Sequence, residues 1–317
     1  MRMIGLQVRI WLTVVVLFGL LYALISIIAY VRGISAPFFY IVLALIIIGI
    51  QYLIGPKIVE MTMRIRYITP SEYPRLYSMV ERLARDAKIP MPKVGISEIP
   101  IPNAFAFGRT KGDARVCVTR ELLNILDEKE LEAVLGHEIS HIKHRDVVVI
   151  TMLSVIPLVC YYVFLSTLFS GDRESRGSTA LIGIAAFILY FVTNLLVLYA
   201  SRIREYYADS GSVELTKNPT ALASALYKLI RGSARVDKTT LKHVEGLKAF
   251  FASDPSNARK EITELSMMDL DRSGDIDEYE LKAFGEAEIK LTAFDKFLEF
   301  LSTHPNPAKR IQRLAHM

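Results

Sequence analysis

Residues 135–152 read Leu135-Gly136-His137-Glu138-Ile139-Ser140-His141-Ile142-Lys143-His144-Arg145-Asp146-Val147-Val148-Val149-Ile150-Thr151-Met152. Two patterns meet at Asp146. Upstream stands H-E-x-x-H inside a helical pattern that begins near Asp127; downstream no charged side chain occurs until Asp172. A polar helix carrying metal-ligand chemistry is thus predicted to run on, past Asp146, into a helix apolar enough to cross a bilayer.

The downstream window, Val147–Gly171, is one of four without Asp, Glu, Lys or Arg; the others are Ile10–Val31, Gly33–Pro56 and Gly177–Ser201. A helix rises about 1.5 Å per residue, so about 20 residues cross a hydrocarbon core of about 30 Å, and each window is long enough. Composition agrees: 52% of the 317 residues are hydrophobic and 22% charged, with a mean hydropathy of +0.32. That is more apolar material than a purely water-facing surface accommodates, and it excludes a disordered chain. The first window is too long for the apolar core of a secretory signal and no A-x-A-like site follows it, so it reads as an anchor. Trp11 and Tyr30 lie near its ends, at headgroup level.

Basic residues fix the expected orientation. Arg2 and Arg9 precede the first window, Lys57, Arg64 and Arg66 follow the second, Lys143 and Arg145 precede the third, and Arg202 and Arg204 follow the fourth. With four spans all these clusters fall on one side, which the positive-inside rule makes the cytoplasm. The expectation is a multi-pass protein of the cell membrane, with the bilayer as partner and both termini and all large polar segments cytoplasmic. Two cysteines, Cys117 and Cys160, build no disulfide framework and suit that compartment. A net charge of +5 is too mild to suggest nucleic acid. The chain divides into residues 1–56 (two spans), 57–146 (a first polar part), 147–201 (a transmembrane hairpin) and 202–317 (a second polar part). The fold class is mainly α, with a small sheet in the polar part. There Thr69-Pro70-Ser71-Glu72 opens a helix with Leu76, Met79, Val80, Leu83 and Ala84 on one face, and short β-like runs follow at 93–96, 104–107 and 115–119, with Gly108–Asp113 as a hairpin turn. The second polar part reads as mostly helical: Pro219–Arg231, Asn257–Met268, Glu278–Lys290 and Pro307–His316.

His137 and His141 are one helical turn apart, so both project from one face and can grip one ion. Glu138 lies about 100° round the helix; it misses the ion yet can reach a water on it. Zinc suits imidazole nitrogen and brings the pKa of its water to about 7, and Glu138 can act as general base. H-E-x-x-H occurs by chance, so a third ligand is needed. Ser201-Arg202-Ile203-Arg204-Glu205-Tyr206-Tyr207-Ala208-Asp209 stands where the fourth span returns to the cytoplasm. Glu205 and Asp209 share a face, one to bind the metal and the other to orient a ligating histidine. Spans three and four, as a hairpin, bring this segment to the membrane surface that carries His141.

With Asn103-Ala104-Phe105-Ala106, His137–His141, Lys143-His144-Arg145-Asp146, Ser201-Arg202 through Glu205 to Asp209, and Ser302-Thr303-His304-Pro305 with Arg310, the chain resembles the HtpX-type membrane zinc metallopeptidases, relatives of the CAAX prenyl proteases. The resemblance covers most of residues 1–250 and 295–317. It implies a gluzincin core with His137, His141 and Glu205 on one zinc, Glu138 as base and Asp209 behind a histidine. It also implies an edge strand at Asn103, Ala104, Phe105 and onward that receives an extended substrate. His304 matches a position near the cleft, where an imidazolium can stabilise an oxyanion; a surface turn histidine is the alternative. His144 reads as an interfacial histidine. Substrates in this family are misfolded or damaged membrane proteins, cut on the cytoplasmic side, which implies unfolded or membrane-protein polypeptides as partners and a role in quality control and stress.

A membrane scaffold with a dead peptidase site, responsive to calcium, is the contrasting reading; the intact Glu138 and ligand set oppose it. A transporter would need ionisable groups at the midplane, and an ATP-driven protease a P-loop; neither is present in the sequence. One segment falls outside the resemblance. Residues 269–280, Asp-Leu-Asp-Arg-Ser-Gly-Asp-Ile-Asp-Glu-Tyr-Glu, fit a twelve-residue EF-hand loop inside a helical segment spanning 257–290. Oxygen donors stand at Asp269, Asp271, Ser273 and Asp277, with a backbone carbonyl at Asp275 and a bidentate Glu280. Calcium is a candidate second ion, and its binding would make activity calcium-sensitive; a loop with no second copy in the chain can also serve as a plain helical hairpin.

Overall fold

The computed structural model describes residues 12, 16–17, 19–20, 24, 36–168, 176–237, 258–287 and 292–317. Two compact units divide the chain: one comprises residues 1–55 and 148–203, the other 56–147 and 204–317.

In the apolar unit, helix α1 (Ala36–Thr62) contributes its first part. The first hydrophobic window lies largely outside the described residues, as do the two short connections between windows. Two helical runs among the described residues are long and apolar enough to cross a membrane: 146–168 and 179–216. Their outward faces carry large apolar side chains, Met152, Leu181, Ile184, Ile188 and Phe191 among them, as a lipid-facing helix would. The first run is not one rod. It breaks at Ser154 into α5 (Asp146–Leu153) and α6 (Val155–Leu168), because Pro157 has no N–H to offer the preceding turn. The 41-residue α7 (Arg176–Thr216) carries the fourth window and continues without a break through Glu205 and Asp209.

The second unit is built on a four-stranded mixed sheet in the order β1–β2–β4–β3. Its strands are β1 (Ile65–Tyr67), β2 (Lys93–Ser97), β3 (Ala104–Gly108) and β4 (Ala114–Thr119). β2 and β4 run parallel, with Val94 opposite Val116; β1–β2 and β3–β4 are antiparallel. Every residue of β4 is buried, as expected of a strand covered on both faces. One face packs Val94, Ile96, Val116 and Val118 against Leu76, Met79, Val80 and Leu83 of α2 (Pro74–Asp86) and Leu135 and Ile139 of α4 (Glu128–His144). The other meets Val59, Met63, Ile99 and Ile101 through Phe105, Phe107 and Cys117. Burial of this kind is worth about 1.5–3 kcal/mol per large aliphatic side chain. α2 starts at Pro74 rather than at the expected Pro70, since Glu72 turns back to accept from the Thr69 N–H. At Gly108, φ is +143°, and a Cβ there would meet the Asp113 carbonyl at 2.3 Å, so the β3–β4 turn demands glycine. A short helix, α3 (Arg120–Ile125), leads from β4 toward α4.

α4 opens with a capping box, Asp127 and Glu130 each accepting the other's backbone N–H. The expected continuous passage into the third window does not occur. Arg145 adopts a left-handed conformation (φ 58°) that ends α4, and α5 starts afresh at Asp146. A second core gathers around Leu222 and Leu226 of α8 (Pro219–Ala234), with α9 (Ala258–Leu265), α10 (Glu278–Glu286) and α12 (Pro307–Leu314) contributing Leu265, Leu281 and Ile311. α11 (Ala293–Phe300) precedes the His304 turn.

Candidate metal centre

His137 and His141 stand one turn apart on α4, and α7 lies alongside. The approach depends on small residues: a Cβ on Gly211 would meet the Ser140 Cβ at 2.8 Å, and one on Gly136 the Ser212 Oγ at 3.2 Å. At that spacing Glu205 reaches both histidines. Its Oε1 is 3.5 Å from Nε2 of His141 and its Oε2 is 3.5 Å from Nε2 of His137.

The histidines are held from behind. Nδ1 of His141 is 2.7 Å from Oδ2 of Asp146, and Nδ1 of His137 is 3.0 Å from Oδ1 of Asp209. Ionised carboxylates only accept, so Asp146 assigns the His141 ring proton to Nδ1, and Asp209 beside His137 favours the same tautomer, which turns both Nε2 atoms inward. Those two nitrogens face each other at 3.1 Å. With one Glu205 oxygen they lie within 4.8 Å of one another. Glu205 Oε2 is buried and no group donates to it in hydrogen-bond geometry, although Arg310 Nη1 lies 3.3 Å and His304 Nδ1 3.5 Å away. Converging lone pairs need positive charge at their centre, supplied by a proton or a metal ion. Burial lowers the His137 pKa, but the carboxylates of Asp209 and Glu205 outweigh it and push it up to about 9. Burial and the neighbouring His137 lower that of His141. Two imidazole nitrogens and one carboxylate are the donor set of an open zinc site, so the residues fit zinc.

Two arginines support these carboxylates. Arg310, buried in α12, makes a two-pronged contact with Asp209, Nε to Oδ2 at 2.9 Å and Nη2 to Oδ1 at 2.6 Å. Its Nη1 is also 3.3 Å from Glu205. Arg204 donates from Nη2 to Oδ1 of Asp146 and to the His144 carbonyl. Asp146, Arg204 and the pairing of Arg310 with Asp209 are the participants that sequence reasoning missed. The i, i+4 spacing marked Asp209, but no spacing marks partners that meet only through a chain reversal or across 101 residues.

Glu138 is buried, and burial raises its carboxyl pKa, with His137 and His141 pulling the other way. The backbone N–H of Ala106 is near enough to favour the charged form of Glu138, which sets it beside β3. That strand pairs with β4 alone among the described strands, so it is one of the sheet's two edges. Ala104 and Phe105 lie on it; Asn103 precedes it and its backbone bonds Thr119. His304 joins the cluster from the turn before α12, Nδ1 3.5 Å from Glu205 Oε2, and neither ring nitrogen has a hydrogen-bond partner. His144 stands apart, against Ser140 Oγ and the Tyr207 ring. Asp269, Asp271, Ser273, Asp275, Asp277 and Glu280 form a separate loop that takes no part in this centre.

Residues 70–317 match the model of peptidase family M48. A protease HtpX homolog of Methanothermobacter thermautotrophicus is 58% identical over 71% of this chain and 86% of its own. One from Thermoplasma acidophilum is 35% identical over 94% and 91% of the two chains, and one from Methanosarcina acetivorans 32% identical over 100% and 96%. Among solved structures, Ste24p of S. mikatae superposes with a TM-score of 0.57 at 15% identity, covering 98% of this chain and 67% of that one; the likeness is one of fold.

Proposed function

The chain belongs to peptidase family M48, among its HtpX-type proteases, and from that membership we propose that it is a membrane-bound zinc endopeptidase that cuts misfolded or damaged membrane proteins on the cytoplasmic side. The observation that carries the reading is the inward convergence of His137 Nε2, His141 Nε2 and Glu205 beside a buried Glu138 that is not one of the three. His137, His141 and Glu205 hold the ion. When bound, zinc supplies the charge that polarises a peptide carbonyl and acidifies water.

The chain's own residues supply the rest. Asp209, fixed by Arg310, and Asp146, fixed by Arg204, keep the two imidazoles in the tautomer that offers Nε2. Glu138 takes the proton of the attacking water and passes it to the leaving amine; burial helps by raising its affinity for that proton. The free edge of β3 receives an extended segment by strand addition, with Asn103, Ala104 and Phe105 along it. His304 donates to the oxyanion of the tetrahedral intermediate. Four apolar windows hold the protein in the bilayer, and the one-sided basic clusters support a cytoplasmic catalytic part. Glu138→Gln tests the reading, since it removes the base and no ligand. Zinc content should match wild type while cleavage of casein or of an unfolded membrane protein falls by about 10²-fold or more. Normal cleavage by that variant would refute the assignment.

A further inference from the structure

The peptidase chemistry makes no use of the segment Asp269–Glu280, between α9 and α10. Its backbone turns at Gly274, where φ is 92°. Glu280 accepts from the N–H groups of Leu270 and Asp277, and Asp277 caps α10. A capping turn needs no more than Asp277 and Glu280, so Asp269 and Asp271 require another explanation.

Asp269 is only 8% exposed. Its Oδ2 accepts from the Tyr227 hydroxyl at 3.1 Å and the Gly274 N–H at 3.0 Å, but its Oδ1 is buried without a donor. Carboxylate oxygens of Asp269, Asp271 and Glu280 lie within 4.8 Å of one another. Among the described residues none of the three makes an ion pair with lysine or arginine. Lys228 serves Asp275 and Glu130 instead, at 2.5 and 2.9 Å. A buried carboxylate oxygen with no donor, set beside two more carboxylates, is costly unless a cation joins them.

We propose that the loop Asp269–Glu280 binds one calcium ion through Asp269, Asp271, Ser273, Asp277, the Asp275 carbonyl and Glu280. The donors are all oxygen, which selects a hard cation over zinc, and their number and spacing suit calcium better than the strict octahedron of magnesium. Such loops ordinarily pair with a second copy, and here α8 takes that place. Ile276, at position eight, is buried, and its N–H donates to Ser224 Oγ of α8. Ser224 in turn donates to Glu130 in the first turn of the H-E-x-x-H helix. Calcium therefore ties the loop to the helix that braces the metal centre.

Calorimetric titration of calcium into the full-length, zinc-saturated protein in detergent tests this. One ion per chain should bind with a Kd between about 10⁻⁶ and 10⁻³ M, and magnesium far more weakly. Glu280→Gln keeps an acceptor for only one of the two backbone N–H groups, since its amide nitrogen donates, and should weaken calcium at least about tenfold. Asp271→Asn, at an exposed position, retains an oxygen to accept from the Ser273 N–H, and it should do the same and should abolish the calcium-induced rise in Tm. No calcium heat up to about 10 mM in the wild type, or unaltered binding by Asp271→Asn, would overturn the proposal.

Discussion

Asp146 follows the left-handed Arg145 and turns back to Nδ1 of His141, while Arg204 holds its other oxygen. Had α4 continued, Asp146 would lie five residues on from His141, about 140° round the helix and out of reach. The sequence shows two basic residues and an aspartate at the edge of an apolar window, which reads as an interfacial cluster; only a backbone reversal converts it into support for a ligand. That Asp209 stands behind one of the histidines was legible by comparison, because it lies at i, i+4 from Glu205 on a helix whose period is visible; which histidine was not, and the structure places it 3.0 Å from His137. Replacing Asp146 by Ala should lower zinc affinity or turnover by about 10- to 100-fold. Zinc titration against a competing chelator measures the first and peptide cleavage the second. Wild-type values for both would show that His141 does not depend on this carboxylate.

α4 and α7 meet through small residues. In an exposed helix Gly→Ala gains up to about 1 kcal/mol from propensity. At Gly211 the new Cβ would lie 2.8 Å from the Ser140 Cβ, an atom that no rotation removes. Overpacking costs about 1–3 kcal/mol, so we expect Gly211→Ala to be destabilising overall and to lower zinc occupancy by moving Glu205 away from the histidines. Thermal unfolding and metal analysis check this; a Tm at or above wild type would mean that the helices are not packed this closely. Elements with a strong period were readable: α4, α8, α12 and the three strands from Lys93 to Thr119. β1 was not, because Ile65–Tyr67 is too short to show alternation and follows basic residues that read as a membrane flank. The break at Ser154 was foreshadowed by Pro157, yet hydropathy averages such a proline away.

For the whole molecule, the apolar windows and the polar peptidase part were separable from charge spacing alone, while the number of helices that cross a bilayer was not, since two of the four windows meet the span criterion among the described residues. Four crossings predict that Ser175→Cys and Ser256→Cys, at positions outside the described residues, are labelled from opposite sides of the membrane in a variant whose Cys117 and Cys160 are replaced. Labelling of both from one side would rule that topology out. The central claim is that His137, His141 and Glu205 hold a zinc ion on which hydrolysis depends. Its most direct test is the zinc content of purified wild-type and Glu205→Ala protein, with cleavage measured on the same samples before and after chelation. The wild type should carry about one zinc per chain and lose activity with the metal, and Glu205→Ala should be depleted in both. Full cleavage by zinc-free wild-type protein, or full zinc and activity in Glu205→Ala, would contradict it.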